Sequence, residues 1–85
     1  MAFDIVDPEE FLNDGLFSQD SFLERVAQHD WNAHRDKQVL IKGCTSGVIP
    51  PWAFMILTGK LAGVARTVRF GNEHDHILVY RSKKN

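Results

Sequence analysis

The loop GCTSG, residues 43–47, has the residue types that most suggest chemistry, and it holds the single cysteine of the chain. An apolar run that predicts a buried strand precedes it, and a Pro-Pro pair that can open a helix follows it. In open α/β sheets ligands bind outside the carboxyl ends of the strands, and N–H groups at a helix start favour an anion. The loop is therefore one candidate site for a small anion, formed by Gly43, Cys44, Thr45, Ser46 and Gly47.

The cysteine could instead be a nucleophile, because a helix start stabilises a thiolate. A thiol enzyme also needs a base within hydrogen-bond reach, and no spacing places one beside Cys44, whether His29, His34, His74 or His76. Pro50 and Pro51 remove two N–H donors that an anion would need, and the loop matches neither nucleotide-binding pattern. A lone cysteine is commonly a small buried residue. The favoured interpretation is a tight turn between a strand and a helix.

The segment HDH, residues 74–76, is a second candidate. In an extended chain His74 and His76 point to the same side, and Glu73 and Asp75 lie beside them. Two histidines without a third spaced ligand are a weak indication of a metal site, and a polar turn has the same composition. Metal binding through His74 and His76 stays open as an alternative.

The stretch HDW, residues 29–31, places an acid next to a base. Neighbouring side chains on a helix do not face each other, so His29 and Asp30 are not predicted to work as a pair. The favoured interpretation makes Asp30 a helix cap and Trp31 an anchor in the core or in an interface.

Composition limits the classes of function. The chain of 85 residues, with net charge −1, predicts a single domain over residues 1–85, and it lacks the basic patch that nucleic-acid binding requires. One cysteine cannot form an internal disulfide, the start MAFDIVDPEE does not resemble a signal peptide, and no apolar run is long enough to cross a bilayer. We therefore expect a cytoplasmic protein without a membrane segment. No motif indicates a cofactor.

The elements that must position these residues are an alternation of strands and helices. The predicted N-terminal part, residues 1–36, has a weak strand at AFDIV, a short helix opened by Asp7 and Pro8, and a second helix capped by Ser18 with Phe22, Leu23, Val26 and Ala27 on its apolar face. Residues 37–85 form a predicted strand-helix-strand-strand unit. The predicted class is α/β: a small mixed sheet of three to four strands, with a βα crossover and a C-terminal antiparallel hairpin, packed with N-terminal helices and one central buried helix.

The central helix, predicted from Pro51 to about Ala65, is apolar on two sides. One stripe, containing Phe54, Leu57, Leu61 and Val64, can cover the sheet. The second stripe must pack on the N-terminal helices or on a second copy of the chain. Two glycines within a helix cost about 1 kcal/mol each relative to alanine, and close helix packing could compensate. The predicted homodimer interface is this second stripe: Trp52, Met55, Ile56, Gly59 and Gly63.

Six short motifs (FDI, HDW, KGC, IPPWAFM, KLAGVARTVRFG and VYRSKK) resemble a bacterial family known as proteins of unknown function. The resemblance spans most of the chain. It implies that longer members carry the pattern twice in tandem, whereas this sequence carries it once, and a single copy is then expected to self-associate. The resemblance implies no activity, substrate or catalytic residue. The leading hypothesis is a non-enzymatic module that binds or self-associates, with the loop and histidine sites as alternatives.

Overall fold

The computed structural model describes residues 3–43 and 48–83. Its centre is a mixed sheet of four strands, whose order in the sheet is their order in the chain. The first two pairings are parallel and the last is antiparallel. The predicted α/β class with a C-terminal hairpin is confirmed. The strands are β1 (Asp4–Val6), β2 (Gln38–Lys42), β3 (Thr67–Gly71) and β4 (His76–Arg81).

Helices fill the two crossovers between the parallel strands. Between β1 and β2 lie a 3-10 helix, an α-helix and a second 3-10 helix, and one α-helix joins β2 to β3. The α-helices are α1 (Gln19–Gln28) and α2 (Pro51–Ala62), and the 3-10 helices are Pro8–Phe11 and Trp31–His34. No helix among the described residues is long and apolar enough to cross a membrane.

The N-terminal helical segments begin where the caps predict. The Asp7 side chain accepts a hydrogen bond from the Glu9 N–H at 3.0 Å, as expected of a cap, but the segment closes as a single 3-10 turn rather than an α-helix. Helix α1 follows Ser18, and its apolar face is narrower than predicted. Phe22 and Val26 are buried, whereas Leu23 and Ala27 are exposed because a single row of contacts suffices to seat this short helix.

Helix α2 ends three residues earlier than predicted. Gly63 follows its last residue, and the N–H groups of Val64 and Ala65 both bond to the Leu61 carbonyl, which closes a turn instead of continuing the helix. Glycine is a poor helix former and is a common residue at this position. Gly63 therefore lies beyond the helix, and the two glycines of the predicted stripe are not both helical.

One hydrophobic core lies between the two helices and a single face of the sheet. Right-handed crossovers that advance in one direction put both helices on the same side. The core cluster accordingly contains α1, α2 and alternate strand residues: Val6, Phe11, Phe22, Val26, Val39, Ile41, Ala53, Leu57, Leu61, Ala65 and Val68.

The opposite face of the sheet is also partly covered. Leu40 alternates with Val39 and Ile41 and points away from the helices, yet it is fully buried. On this face the rings of Phe3 and His76 pack edge to face, with their centroids 5.0 Å apart. The prediction that β2 is covered on both faces is confirmed.

Strand β4 departs from simple alternation. Val68 pairs with Tyr80 and Arg69 pairs with Leu78, so Val79 is an extra residue in the ladder. Such a bulge turns two successive side chains toward one face. Tyr80 therefore joins Val79 on the side that faces α2, and simple alternation along the strand ends at the bulge.

Candidate functional site

Most of the predicted anion or thiol loop lies outside the described residues. This applies to Cys44, Thr45, Ser46 and Gly47, so the hypotheses that rest on them stay predictions. Gly43 is described, and its N–H donates to the Gly71 carbonyl at 2.9 Å. A Cβ at Gly43 would lie 2.7 Å from the Phe70 ring, which is shorter than any acceptable contact. Close packing on Phe70 is thus sufficient to explain this glycine.

The two histidines of the HDH segment lie in different surroundings. His74 is exposed in the hairpin turn, where its N–H donates to the Asn72 side chain at 2.8 Å. His76 is half-buried against Phe3, and its Nδ1 lies 3.4 Å from the Arg69 guanidinium, a neighbour that disfavours a cation. Among the described residues no group of three or more His, Cys, Asp or Glu side chains is arranged to hold a metal. Metal binding through His74 and His76 gains no support from this geometry.

The second stripe of α2 divides into an inward and an outward part. Trp52 packs edge to face on Phe17 and Phe22, with centroid distances of 5.4 and 5.8 Å. Ile56 is half-buried and packs against the core. Trp52 thus contacts the N-terminal segments while remaining 37% exposed, and Ile56 packs on the core.

The outward part contains Met55 and Gly59. Met55 is 73% exposed, and a Cβ built on Gly59 meets nothing within 4 Å. Gly63 is equally open, beyond the helix end. The described part of the chain therefore does not supply the close packing that two glycines predict.

An apolar groove runs beside Met55, between α2 and the last two strands. Phe54 and Phe70 form its floor, with ring centroids 5.2 Å apart and planes nearly perpendicular. The bulge of β4 adds Val79 next to Tyr80. The groove has a volume of about 510 Å³, and none of its lining residues is charged: Phe54, Met55, Thr58, Gly59, Ala62, Phe70, Val79 and Tyr80.

A second constellation, which the sequence patterns did not reveal, lies on the other side of the molecule. His34 is buried, and its Nδ1 lies 2.6 Å from a carboxylate oxygen of Asp4. Its Nε2 lies 2.9 Å from the Nε2 of His29. We call Asp4, His34 and His29 the histidine array.

Aromatic rings surround the outer imidazole of the array. The His29 ring lies 4.4 Å from the Trp31 ring and 5.5 Å from the Phe11 ring, and Phe11 stacks on Trp31. Trp31 Nε1–H donates to the Val26 carbonyl at 2.9 Å, which satisfies an acceptor at the end of α1. Trp31 thus packs against the core, one of the two places that the sequence predicts for it.

The array could not be found from sequence spacing. Asp4 and His34 are 30 residues apart and meet only because β1 pairs with β2. His29 and His34 are five apart, but α1 ends at Gln28, just before His29, so no helical period relates them. The prediction that His29 does not pair with Asp30 is consistent with this array, in which the acid is Asp4.

Comparison with known proteins gives a family without an assigned activity. A family model described as "Protein of unknown function (DUF2480)" matches residues 1–83. No curated protein and no solved structure matches the chain. The resemblance to a family of unknown function is confirmed, and the chain belongs to this family.

Proposed function

We propose that this member of the DUF2480 family is a binding module that forms a homodimer through the groove between α2 and β4. The observation that supports it most is an uncharged groove with an exposed methionine at its rim and an open space one helical turn away. Met55 and the open space above Gly59 both lie on α2, so the same surface carries a protrusion and a hollow.

The groove is part of a larger apolar surface. Beside Met55, the neighbouring strand β4 leaves Ile77 65% and Val79 47% exposed on the face that carries the groove. Single exposed apolar residues are ordinary, but contiguous apolar patches on a soluble protein mark interaction sites. This surface is therefore a better candidate for a partner than the isolated Leu16 or Val48.

A second copy of the chain is the occupant that the shape favours. A twofold dimer uses the same patch on both subunits, so every protrusion needs a hollow on the same patch. Met55 and Gly59 are four residues apart and lie on the same side of α2. Antiparallel packing of two α2 helices lets Met55 of each copy enter the space above Gly59 of the other. Gly59 is open for this contact because no described side chain fills the space.

The total surface of the chain leaves room for an interface of standard size. A standard stable interface removes about 800 Å² of accessible surface from each partner. The described residues expose 5644 Å² in total, so such an interface would take a modest fraction of it. A groove without charged lining residues also avoids the cost of desolvating charges at the interface centre.

The proposed interface is narrower than the stripe predicted from sequence. Trp52 and Ile56 are engaged mainly within the chain, and Gly63 lies beyond the helix. The proposed centre is Met55 and Gly59, with Val79 and Tyr80 contributed by the bulge. We propose a cytoplasmic location, which a chain with one cysteine fits, and no nucleic-acid partner, which a net charge of −1 fits.

Light scattering at several protein concentrations tests the proposal. We expect a dimer for the wild type and a monomer for Gly59→Leu, because the added side chain fills the hollow. Met55→Ser removes the protrusion and should weaken dimerisation on the order of tenfold or more, since burying such a side chain contributes about 1.5–3 kcal/mol.

A matched control separates the groove from general surface hydrophobicity. Leu16 is 72% exposed, nearly the same as Met55, and does not line the groove. Leu16→Ser should leave the dimerisation constant unchanged. A monomeric wild type, or equal weakening by Leu16→Ser and Met55→Ser, would contradict the proposal. Circular dichroism confirms that each variant keeps its helices and strands.

A further inference from the structure

The histidine array has a defined order of donors and acceptors. An ionised carboxylate only accepts hydrogen bonds, so His34 Nδ1 carries the proton in its 2.6 Å contact with Asp4. In the neutral imidazole His34 Nε2 is then an acceptor, and it accepts from His29 Nε2–H at 2.9 Å. His29 Nδ1 is left as the free lone pair of the array.

The ring geometry favours a hydrogen bond over a shared metal ion. The planes of His29 and His34 differ by 13°, and their centroids are 5.1 Å apart while the two Nε2 atoms are 2.9 Å apart. The centroid distance exceeds the nitrogen distance by nearly twice the centre-to-nitrogen distance of an imidazole. The two Nε2 atoms therefore point at each other, whereas two ligands of one metal would point at a third position.

The outer imidazole is both fixed and accessible. Phe11 and Trp31 hold the His29 ring, and its bond to His34 fixes the ring's orientation. His29 is half-buried and lines a cleft of about 180 Å³ between the first 3-10 helix and α1. Its other lining residues are Glu10, Phe11, Arg25 and Gln28.

We propose that Asp4, His34 and His29 form a proton relay, which makes His29 the acid–base group of a small-molecule site in this cleft. His29 Nδ1 takes a proton from the ligand, and the Nε2 proton of His29 passes to His34 Nε2. The array gains one proton, and the positive charge comes to lie on His34 beside the Asp4 carboxylate. Return of the proton reverses both transfers, so His29 can act as base and then as acid.

The cleft indicates the chemical class of its ligand. Arg25 is the one positively charged side chain among the lining residues, and it suits an anionic group such as a carboxylate or phosphate. Glu10 lines the same cleft, so the ligand should also carry a hydrogen-bond donor. The groups that face His29 are thus Glu10 and Arg25 across the cleft and His34 behind it.

Acylation by diethyl pyrocarbonate, followed residue by residue by mass spectrometry, tests the relay. The reagent transfers its ethoxycarbonyl group to an unprotonated imidazole nitrogen and releases ethanol and carbon dioxide. His74, exposed in the hairpin turn, is the internal control. We expect His29 to react on the order of tenfold faster than His74, although it is the less exposed ring, because the relay removes the Nε2 proton as the bond forms.

The variant Asp4→Asn shows whether the advantage comes from the array. We expect His29 to lose its excess rate, while the rate of His74 stays unchanged. Wild-type His29 reacting no faster than His74, or an unaltered His29 in Asp4→Asn, would overturn the relay. If the variant does not fold, ¹⁵N NMR of the wild type decides. It should show neutral His29 protonated at Nε2, and protonation at Nδ1 instead would refute the order.

Inorganic phosphate serves as the probe for the ligand class. In NMR titrations at neutral pH we expect phosphate to shift the His29 and Arg25 signals in the wild type and to lose this effect in Arg25→Gln. No shift at millimolar phosphate, or an equal shift in both proteins, would exclude an anion site in the cleft.

Discussion

The histidine array and the apolar groove differ in how far their side chains have partners within the chain. In the array each imidazole is matched to a described partner within the chain, at distances of 2.6 and 2.9 Å. In the groove, the large apolar lining residue Met55 is 73% exposed and has no comparable cover. Buried polar groups must form their hydrogen bonds within the fold, whereas an apolar groove can stay exposed until a partner binds. The array thus suits the proposed acid–base role within one chain, and the groove suits the proposed dimer.

The two edges of the sheet differ in the same direction. Strand β1 has three residues and begins with Asp4, whose charge would discourage pairing with another sheet. Strand β4 has six residues, and its interior is apolar. The bulge at Val79 interrupts its ladder, so we assign the contact to the groove face rather than to strand pairing.

The largest expected effect compares two phenylalanines, one in each region. Phe11 is 3% exposed and contacts the rings of Phe22, His29 and Trp31, so Phe11→Ala should lower the free energy of unfolding by about 3–5 kcal/mol. Phe54 is half-buried in the groove, and Phe54→Ala should cost about half as much. Urea unfolding in the Gly59→Leu background measures both without a contribution from dimerisation. Equal losses of unfolding free energy would mean that Phe54 in the groove is packed as firmly as Phe11 beside the array.

The next effect concerns the carboxylate of the array. Asp4→Asn removes the negative charge of the acceptor in a hydrogen bond to a buried histidine and should cost about 1–3 kcal/mol of unfolding free energy. Asp75→Asn, at an exposed position of the hairpin, should change it by less than about 0.5 kcal/mol. The same urea titration measures both, and a cost at Asp4 no greater than at Asp75 would show that the array contributes nothing to the fold.

The smallest effect is a gain in stability. Gly59→Ala replaces an exposed helical glycine whose added Cβ meets nothing, and should stabilise the monomer by about 0.5–1 kcal/mol. Gly63→Ala, just beyond the helix, should gain less because no helical residue is improved. Thermal unfolding at low protein concentration compares the two. A loss at Gly59 would mean that the glycine has a structural role within the single chain.

The sequence predicted a helix or strand correctly where a single local pattern was enough to specify it. Consecutive Val39, Leu40 and Ile41 predicted a strand covered on both faces, and all three are fully buried. Asp7 predicted a helix start that the structure confirms. The end of α2 was missed because the apolar pattern continues past Gly63 while the backbone turns.

The two candidate sites followed less well, because each depends on residues distant in sequence. The stripe on α2 pointed to the groove, but the bulge that adds Val79 is a property of strand pairing. The array needs Asp4 beside His34, a contact that exists only once the sheet has formed. The residue types indicated the histidines as candidates, but their spacing in the sequence did not predict the contact between His29 and His34.

The order of the strands also bears on the order of folding. The β3–β4 hairpin is local in sequence, and β2–α2–β3 is one compact crossover, so little chain entropy is lost in forming them. Strand β1 pairs with β2 across a far longer segment, and the Asp4–His34 contact spans 30 residues. We expect the C-terminal unit to form the folding nucleus and β1 to dock late. Substitutions at Asp4 should then accelerate unfolding and leave the folding rate nearly unchanged.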